Sequence, residues 1–256
     1  MHRVLIEIGP VTIYSYGFFL AIAFLTCIFL IRRDTERFGM PFDKILDCLV
    51  WILIIGIVGG RLLYVLINWQ YYIQYPLRVL ALRDGGMAFH GSLVLAVAAG
   101  VLLSRFKGLP FWRTSDFLAP YIPLGHAIGR IGCFFNGCCY GKIIETGPGV
   151  TFPGELHMRI PVQLYSSLFL LLLYFFLSFL RGKKTFDGSV FCAYVIIYSV
   201  FRFFIEFFRG DTPPVLPGMT LAQVISGVMF LLGLAVWIIL YLRAKNPGNM
   251  ALDEGT

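Results

Sequence analysis

The chain is short of charge. Acidic and basic side chains make up 14% of its 256 residues while 58% are apolar, and an ordinary soluble domain carries about 25% charged residues. That deficit excludes a water-soluble globule, which needs a charged surface to stay dissolved. A contiguous basic stripe is lacking too. The formal charge of +7 falls in short clusters between apolar blocks, which is a topology signal and not the footprint of a nucleic-acid partner. Internal repeats, low-complexity tracts and a separable soluble domain are also missing, so residues 1–256 read as a single membrane-embedded domain. The stretch Met1–Pro10 has no basic start, and no small-residue cleavage site follows the first apolar block. This block is therefore expected to remain as a span and not to act as a cleaved signal.

What the sequence does have is long apolar runs. A helix needs about 20 mostly apolar residues to cross a hydrocarbon core roughly 30 Å thick. Seven blocks qualify: Ile13–Ile31, Ile45–Asn68, Gly91–Ser104, Phe117–Phe135, Val162–Leu180, Gly188–Phe208 and Leu221–Leu242. The expected fold is an all-α polytopic membrane protein with seven transmembrane helices. The third block is short unless extended back through Met87, and Pro120 and Pro123 interrupt the fourth. A broken span is tolerated where protein or a cavity satisfies its freed backbone groups.

Orientation follows from the basic residues. Arg32, Arg33, Arg37, Lys44, Arg105, Lys107, Arg113, Arg181, Lys183, Lys184, Arg243 and Lys245 fall on one side, against Arg3, Arg78, Arg83, Lys142, Arg159 and Arg209 on the other. The richer side is cytoplasmic by the positive-inside rule, which places the N-terminus outside and the C-terminus in the cytoplasm. The longer outer connections are then residues 69–90 and 136–161.

Three arginines lie inside the blocks: Arg61, Arg130 and Arg202. At about 1.5 Å per helical residue they sit roughly 24, 20 and 21 Å from the cytoplasmic ends, all in the outer half. His90 opens the third block at the same level. Ionisable groups at such depth cost a few kcal/mol each, so they face a partner or a cavity. The clearest internal acid is Glu206, four residues after Arg202, and one carboxylate against three guanidiniums leaves a positive surplus. Snorkelling or structural pairing explains any one of these groups. Their convergence favours an anion, and the anion of a lipid leaflet is phosphate, which the planar fork of arginine grips through two oxygens. Tyr198, Arg202, Glu206 and Arg209 share one helix face by spacing. The imidazole of His90 takes up protons near neutral pH, which makes it a candidate base as well as a candidate structural group.

Of the six cysteines, Cys27, Cys48 and Cys192 are scattered through apolar blocks, where the residue behaves as a small hydrophobe. Cys133, Cys138 and Cys139 crowd together. They read as packed or paired thiols, as a metal site, or as a reactive centre. The Cys-x4-Cys-Cys spacing lacks the usual closed ligand set of structural zinc, so no metal is expected.

The segment Gly129-Arg130-Ile-Gly-Cys133-Phe-Phe-Asn136-Gly-Cys138-Cys139-Tyr-Gly141 resembles the signature of prolipoprotein diacylglyceryl transferases. Tyr16-Gly17, Gly59-Gly60-Arg61, Asp84–Gly91, Ser115-Asp116-Phe117-Leu-Ala-Pro120, Pro161-Val-Gln163-Leu-Tyr165 and Arg202-Phe-Phe-Ile-Glu206-Phe-Phe-Arg209 resemble it in the same order. The resemblance implies a multi-pass enzyme of the bacterial inner membrane, with its site toward the outer leaflet. Its partners are membrane lipids, phosphatidylglycerol as donor, and the signal-peptide and lipobox segment of a preprolipoprotein as acceptor. Diacylglyceryl passes to the lipobox cysteine as a thioether, glycerol phosphate departs, and no cofactor is needed. By analogy Arg130 and Arg202 clamp the phosphate, Glu206 positions Arg202, and His90, Tyr16 or Tyr198 helps deprotonate the thiol. Arg61, Asn136 and Gly141 join the phospholipid site.

This chain departs from the family pattern at Cys133 (usually Asn), Cys138 (usually Glu), Ile160 (usually His) and Ser166 (usually Glu). Two other functions compete with the transferase: a paralogue with the same donor and another acceptor, and a non-enzymatic phospholipid-binding or transporting protein. The basic asymmetry makes a direct prediction. A reporter fused after Lys245 is expected in the cytoplasm and a tag ahead of His2 outside; a carboxyl terminus reached from outside the cell overturns the orientation.

Overall fold

The computed structural model describes residues 4–8, 11–81 and 85–246. Among these, six helices are long and apolar enough to cross a membrane: Ser15–Phe38 (α1), Phe42–Ile67 (α2), Phe89–Phe106 (α4), Val162–Gly182 (α7), Ser189–Ile205 with its terminal turn to Phe208 (α8), and Leu221–Lys245 (α9). The fourth expected span, Phe117–Phe135, is two helices: Phe111–Leu118 (α5) and Tyr121–Asn136 (α6). The chain turns at Ala119–Pro120, because the proline ring removes a backbone donor and clashes with the preceding turn. At 16 residues, α6 measures about 24 Å, less than the full hydrocarbon thickness. The all-α expectation holds, with two short hairpins beside the helices: Val4–Ile8 (β1) with Val11–Tyr14 (β2), and Pro214–Leu216 (β3) with Met219–Thr220 (β4). The connection 69–90 carries a short helix, Trp69–Gln74 (α3), and a 3-10 turn over Pro76–Leu80.

The chain divides into two compact units, residues 34–114 and residues 1–33 with 115–256. In the first, α2 lies along α4. Small residues make this possible. A Cβ at Gly59 would fall 2.6 Å from the Gly91 carbonyl oxygen and 2.8 Å from the Leu95 Cβ. Such backbone approach is how helices associate where lipid removes the hydrophobic incentive.

In the second unit α6 lies on α7, α7 on α8, and α8 on α9. The start of α8 is fixed from far away in sequence. Asp116 of α5, fully buried, accepts from the backbone N–H groups of Gly188 (2.8 Å), Val190 (3.0 Å) and Phe191 (2.9 Å), and Lys184 lies 3.3 Å from the same carboxylate. A helix opens with unsatisfied N–H groups, and an acid placed there satisfies them and the helix dipole together. Arg181, counted above as a topological charge, is buried and donates to the Phe117 carbonyl and the Tyr121 hydroxyl, both at 3.0 Å. The far end of α8 is tied to the start of α9, where Thr220 and Gln223 form a capping box.

Asp116→Asn is expected to lower stability by about 1–3 kcal/mol, since one amide cannot replace a carboxylate on three N–H donors. Asp187→Asn, which touches only an exposed ion pair with Lys184, should change little. Thermal unfolding in detergent micelles compares them, and equal melting of the two variants contradicts the capping role.

Candidate active site

The polar site of the larger unit is a small, tightly closed cavity lined by His126, Arg130, Ser166, Tyr198, Arg202 and Arg209, with Val162, Leu170, Phe201 and Ile205 as its apolar wall. Three helices build it. From α6 come His126 and Arg130, one turn apart, and Arg130 Nε donates to His126 Nε2 at 3.1 Å. From α8 and its terminal turn come Tyr198, Arg202 and Arg209. Ser166 of α7 donates to its own helix at the Val162 carbonyl, 2.7 Å away, so at this position the acid usual in the family becomes a self-satisfied hydroxyl. The His126 ring lies 5.6 Å from that of Tyr198, which stacks on Tyr194 at 5.8 Å.

Glu206 anchors this arrangement. Its side chain is fully buried, is ion-paired with Arg202, lies 3.9 Å from Arg209 Nε, and accepts from the Thr220 hydroxyl at 3.0 Å. Arg209 is held bidentately by Asp211, at 2.9 and 2.7 Å. Three guanidiniums thus face two carboxylates. Arg130 Nη1 and Nη2 and Arg202 Nε and Nη2 have no hydrogen-bond partner among the described residues, so both residues bring open donors to the cavity wall. The shared face read from the spacing of Tyr198, Arg202, Glu206 and Arg209 is present, although the α-helix gives way to a 3-10 turn at Glu206.

Arg61 has a different task from the one expected of it. It is buried and donates to five backbone carbonyls: Nε to Val79 (2.9 Å), Nη1 to Gly85 (2.6 Å) and Gly86 (3.0 Å), Nη2 to Arg78 (2.6 Å) and Ala81 (3.1 Å). Since a guanidinium has five N–H donors, none is left for a phosphate, and Arg61 serves as the strut of the loop after α3. His90 belongs to the same 34–114 unit, exposed in the first turn of α4.

Gly141 also acts through its backbone. Its N–H bonds the Ile160 carbonyl at 2.9 Å, it bridges to Arg209, and a Cβ there would sit 2.7 Å from Ile160 Cβ and 2.8 Å from the Phe208 carbonyl oxygen. The signature loop is thereby sewn to the end of α8. Phe152 anchors the rest of the loop, buried against Phe134 and Tyr140. Beside it, Arg159 holds the Glu155 carboxyl below the usual carboxylate range, and Tyr140 donates to the same group at 3.0 Å. A depressed carboxyl stabilises the loop above its unfolded pKa, and that contribution is lost as pH falls through the lowered folded value.

The cysteine signature folds into a cluster. α6 stops at Asn136 because Gly137 adopts a left-handed conformation, φ +70°. The Gly137 and Cys138 N–H groups then bond the carbonyls of Phe134 and Cys133, both at 3.2 Å, in a Schellman motif. Cys139 is left-handed as well, at φ +61°. All six cysteines are unpaired thiols, and the sulfurs of Cys133, Cys138 and Cys139 lie within 4.8 Å of one another. Tyr16 lies against the same helix at Gly132, where a Cβ would meet Phe19 Cβ at 2.9 Å and Tyr16 Cα at 3.5 Å.

Sequence reading missed His126 as a site residue, although its place four residues before Arg130 puts it on the same helix face. It also missed Gln163, fully buried, whose Nε2 donates to the Cys138 carbonyl at 2.7 Å. Nothing local announces that contact, which spans 25 residues. Glu206→Gln is expected to cost about 3 kcal/mol of stability, because it strands the Arg202 guanidinium in a low-dielectric site. Thr220→Val should cost less, about 1 kcal/mol. Thermal melts that rank the two in the reverse order remove Glu206 from its anchoring role.

Comparison with known proteins agrees with the signature. A family model described as prolipoprotein diacylglyceryl transferase matches residues 3–239. The chain is similar to the phosphatidylglycerol–prolipoprotein diacylglyceryl transferases of Shouchella clausii (34% identity, over 99% of this chain and 95% of the relative), Geobacillus kaustophilus (35%, 96% and 94%) and Desulfotalea psychrophila (36%, 91% and 91%). A match of this extent, on a chain whose signature loop closes against the arginine-lined cavity, means that the protein belongs to the prolipoprotein diacylglyceryl transferase family.

Proposed function

We propose that the protein transfers the diacylglyceryl group of phosphatidylglycerol to the cysteine thiol of a prolipoprotein, with the arginine-lined cavity as the phosphate end of the reaction. The single observation that carries this placement is the pair Arg130 and Arg202, which share one cavity with donors to spare. The acceptor thiol loses its proton, the sulfur attacks the glyceryl carbon, and the carbon–oxygen bond to phosphate breaks. The electron pair leaves on a phosphate oxygen as glycerol phosphate. Negative charge grows on that oxygen, and fixed donors in a dry site stabilise it without reorganisation.

His126 holds Arg130 by its Nε, and Glu206 holds Arg202, so each guanidinium is oriented before the lipid arrives. Tyr198 stands on the same wall, and Tyr16 stands beside the signature. His90 is retained as a candidate base and Asn136 as a headgroup contact. The chain is read as crossing the bacterial inner membrane seven times, α6 supplying a crossing shorter than the rest, with the N-terminus outside, the C-terminus in the cytoplasm and the cavity toward the outer leaflet. The twelve-to-six basic asymmetry supports that orientation.

Purified protein incubated with phosphatidylglycerol and a lipobox peptide is expected to yield the thioether adduct, detected by mass. Arg130→Ala and Arg202→Ala should reduce transfer at least about 100-fold, the scale of losing one preorganised oxyanion donor. Lysine at either position should recover little, because a point charge cannot reproduce the planar fork. Near-full activity of both lysine variants rules out the clamp, and lack of any adduct with the parent protein rules out the transferase.

A further inference from the structure

The cysteines that replace the usual Asn and Glu of the family signature do more than fill space. We infer that Cys133, Cys138 and Cys139 together bind one divalent cation of the zinc class and leave a coordination position open for the acceptor thiol. The inference rests on the transferase reading for the identity of that thiol, but not for the metal site.

The geometry is that of a ligand set. Three sulfurs lie within 4.8 Å of one another, and zinc–sulfur bonds of about 2.3 Å in a tetrahedron bring sulfurs about 3.8 Å apart. A contraction of less than about 1 Å, within reach of side-chain rotation, completes the site. The backbone is arranged for it. Gly137 ends α6 and turns Cys138 back over the last helical turn, while Cys139 occupies a left-handed conformation that costs a non-glycine residue roughly 1–2 kcal/mol. Simple packing of small side chains gives no reason for that expense, and a disulfide uses only two of three converging thiols.

The surroundings suit an anionic metal–thiolate complex. Three thiolates and a divalent cation carry one negative charge, and the chain brings two guanidiniums to this loop: Arg130 precedes Cys133 by three residues on α6, and Arg209 bridges to Gly141, two residues after Cys139. Both arginines line the cavity, so the cluster stands next to the proposed phosphate end. Gln163 grips the Cys138 carbonyl with its nitrogen, while its Oε1 is buried without a hydrogen-bond partner among the described residues. That leaves an acceptor beside the cluster.

Three protein ligands and one vacant position are the pattern of catalytic zinc sites, and a thiol that coordinates zinc is deprotonated outright. The acceptor R–SH therefore binds as thiolate and gives its proton to solvent. Its sulfur attacks the glyceryl carbon as the carbon–oxygen bond to phosphate breaks, and the thioether formed, a weaker ligand, leaves the metal.

The full-length protein, reduced, stripped with chelator and held in detergent, is titrated with Co(II) alone. One equivalent is expected to give a sulfur-to-cobalt charge-transfer band that one equivalent of Zn(II) abolishes, and a lipobox cysteine peptide should then shift the cobalt d–d bands while its serine analogue does not. Cys133→Ser, Cys138→Ser and Cys139→Ser should each weaken binding at least tenfold, and Cys192→Ser should not. In the parent chain, which avoids any folding defect of the variants, Zn(II) should protect these three cysteines from alkylation and leave Cys27 unaffected. No charge-transfer band with no protection overturns the site. Binding of Cu(I) but not of Zn(II) or Co(II) overturns its class, and metal binding without a response to the cysteine peptide overturns the open position. Transfer that survives chelation removes the metal from the reaction but leaves the transferase standing. Absence of transfer under all conditions fails the functional reading instead, and the cobalt spectrum still decides the site.

Discussion

The buried carboxylate of Glu206 is the point on which the larger unit turns. It lies where α8 passes into a 3-10 turn, carries the Arg202 ion pair, stands near Arg209 and accepts from the residue that caps α9. An ion pair in a low-dielectric site is a poor source of net stability, because desolvation offsets most of its Coulomb gain. What it provides is orientation. With one side of Arg202 committed to Glu206, the remaining donors are aimed at the cavity, and the same carboxylate fixes the register between two helices that lipid alone would not specify.

The same reasoning separates arginines that look alike in sequence. Arg61 is buried and its donors are occupied by a ring of loop carbonyls. Arg130 and Arg202 are each held through one part of the guanidinium and open through the rest. A guanidinium whose donors are all used by backbone is a brace. One held on a single edge keeps donors that, on the proposed reading, meet a phosphate. The inventory of N–H groups separates Arg61 from Arg130 and Arg202.

Local chain geometry and family departure meet at the end of α6. Gly137 stops the helix, and the following two residues fold the chain so that cysteines five and six positions apart reach a common point. On a continuing helix Cys133 and Cys138 would point in different directions. The loop then runs back through Gly141 to the end of α8, and this strap places the altered signature beside Arg209.

Composition and periodicity were enough to define a polytopic helical membrane protein, because lipid forces every backbone polar group into internal hydrogen bonds and leaves long apolar helices as the legible result. The ordered motifs were enough to identify the family, and the four-residue spacing of Arg202 and Glu206 anticipated their pairing. Spacing flagged Pro120 and Pro123 as interruptions of the fourth block but could not tell that the chain breaks at Pro120 while Pro123 stays inside α6, since a proline kinks or breaks a helix according to what surrounds it. Nor could it assign Asp116 to the start of α8 or Gln163 to the Cys138 carbonyl, contacts that depend on chain segments 72 and 25 residues apart. Depth along a helix placed Arg61 with Arg130 and Arg202, yet depth says nothing about which donors are already satisfied. The sequence determined which groups enter the membrane; the tertiary structure decided which of them retain hydrogen-bonding capacity for a ligand.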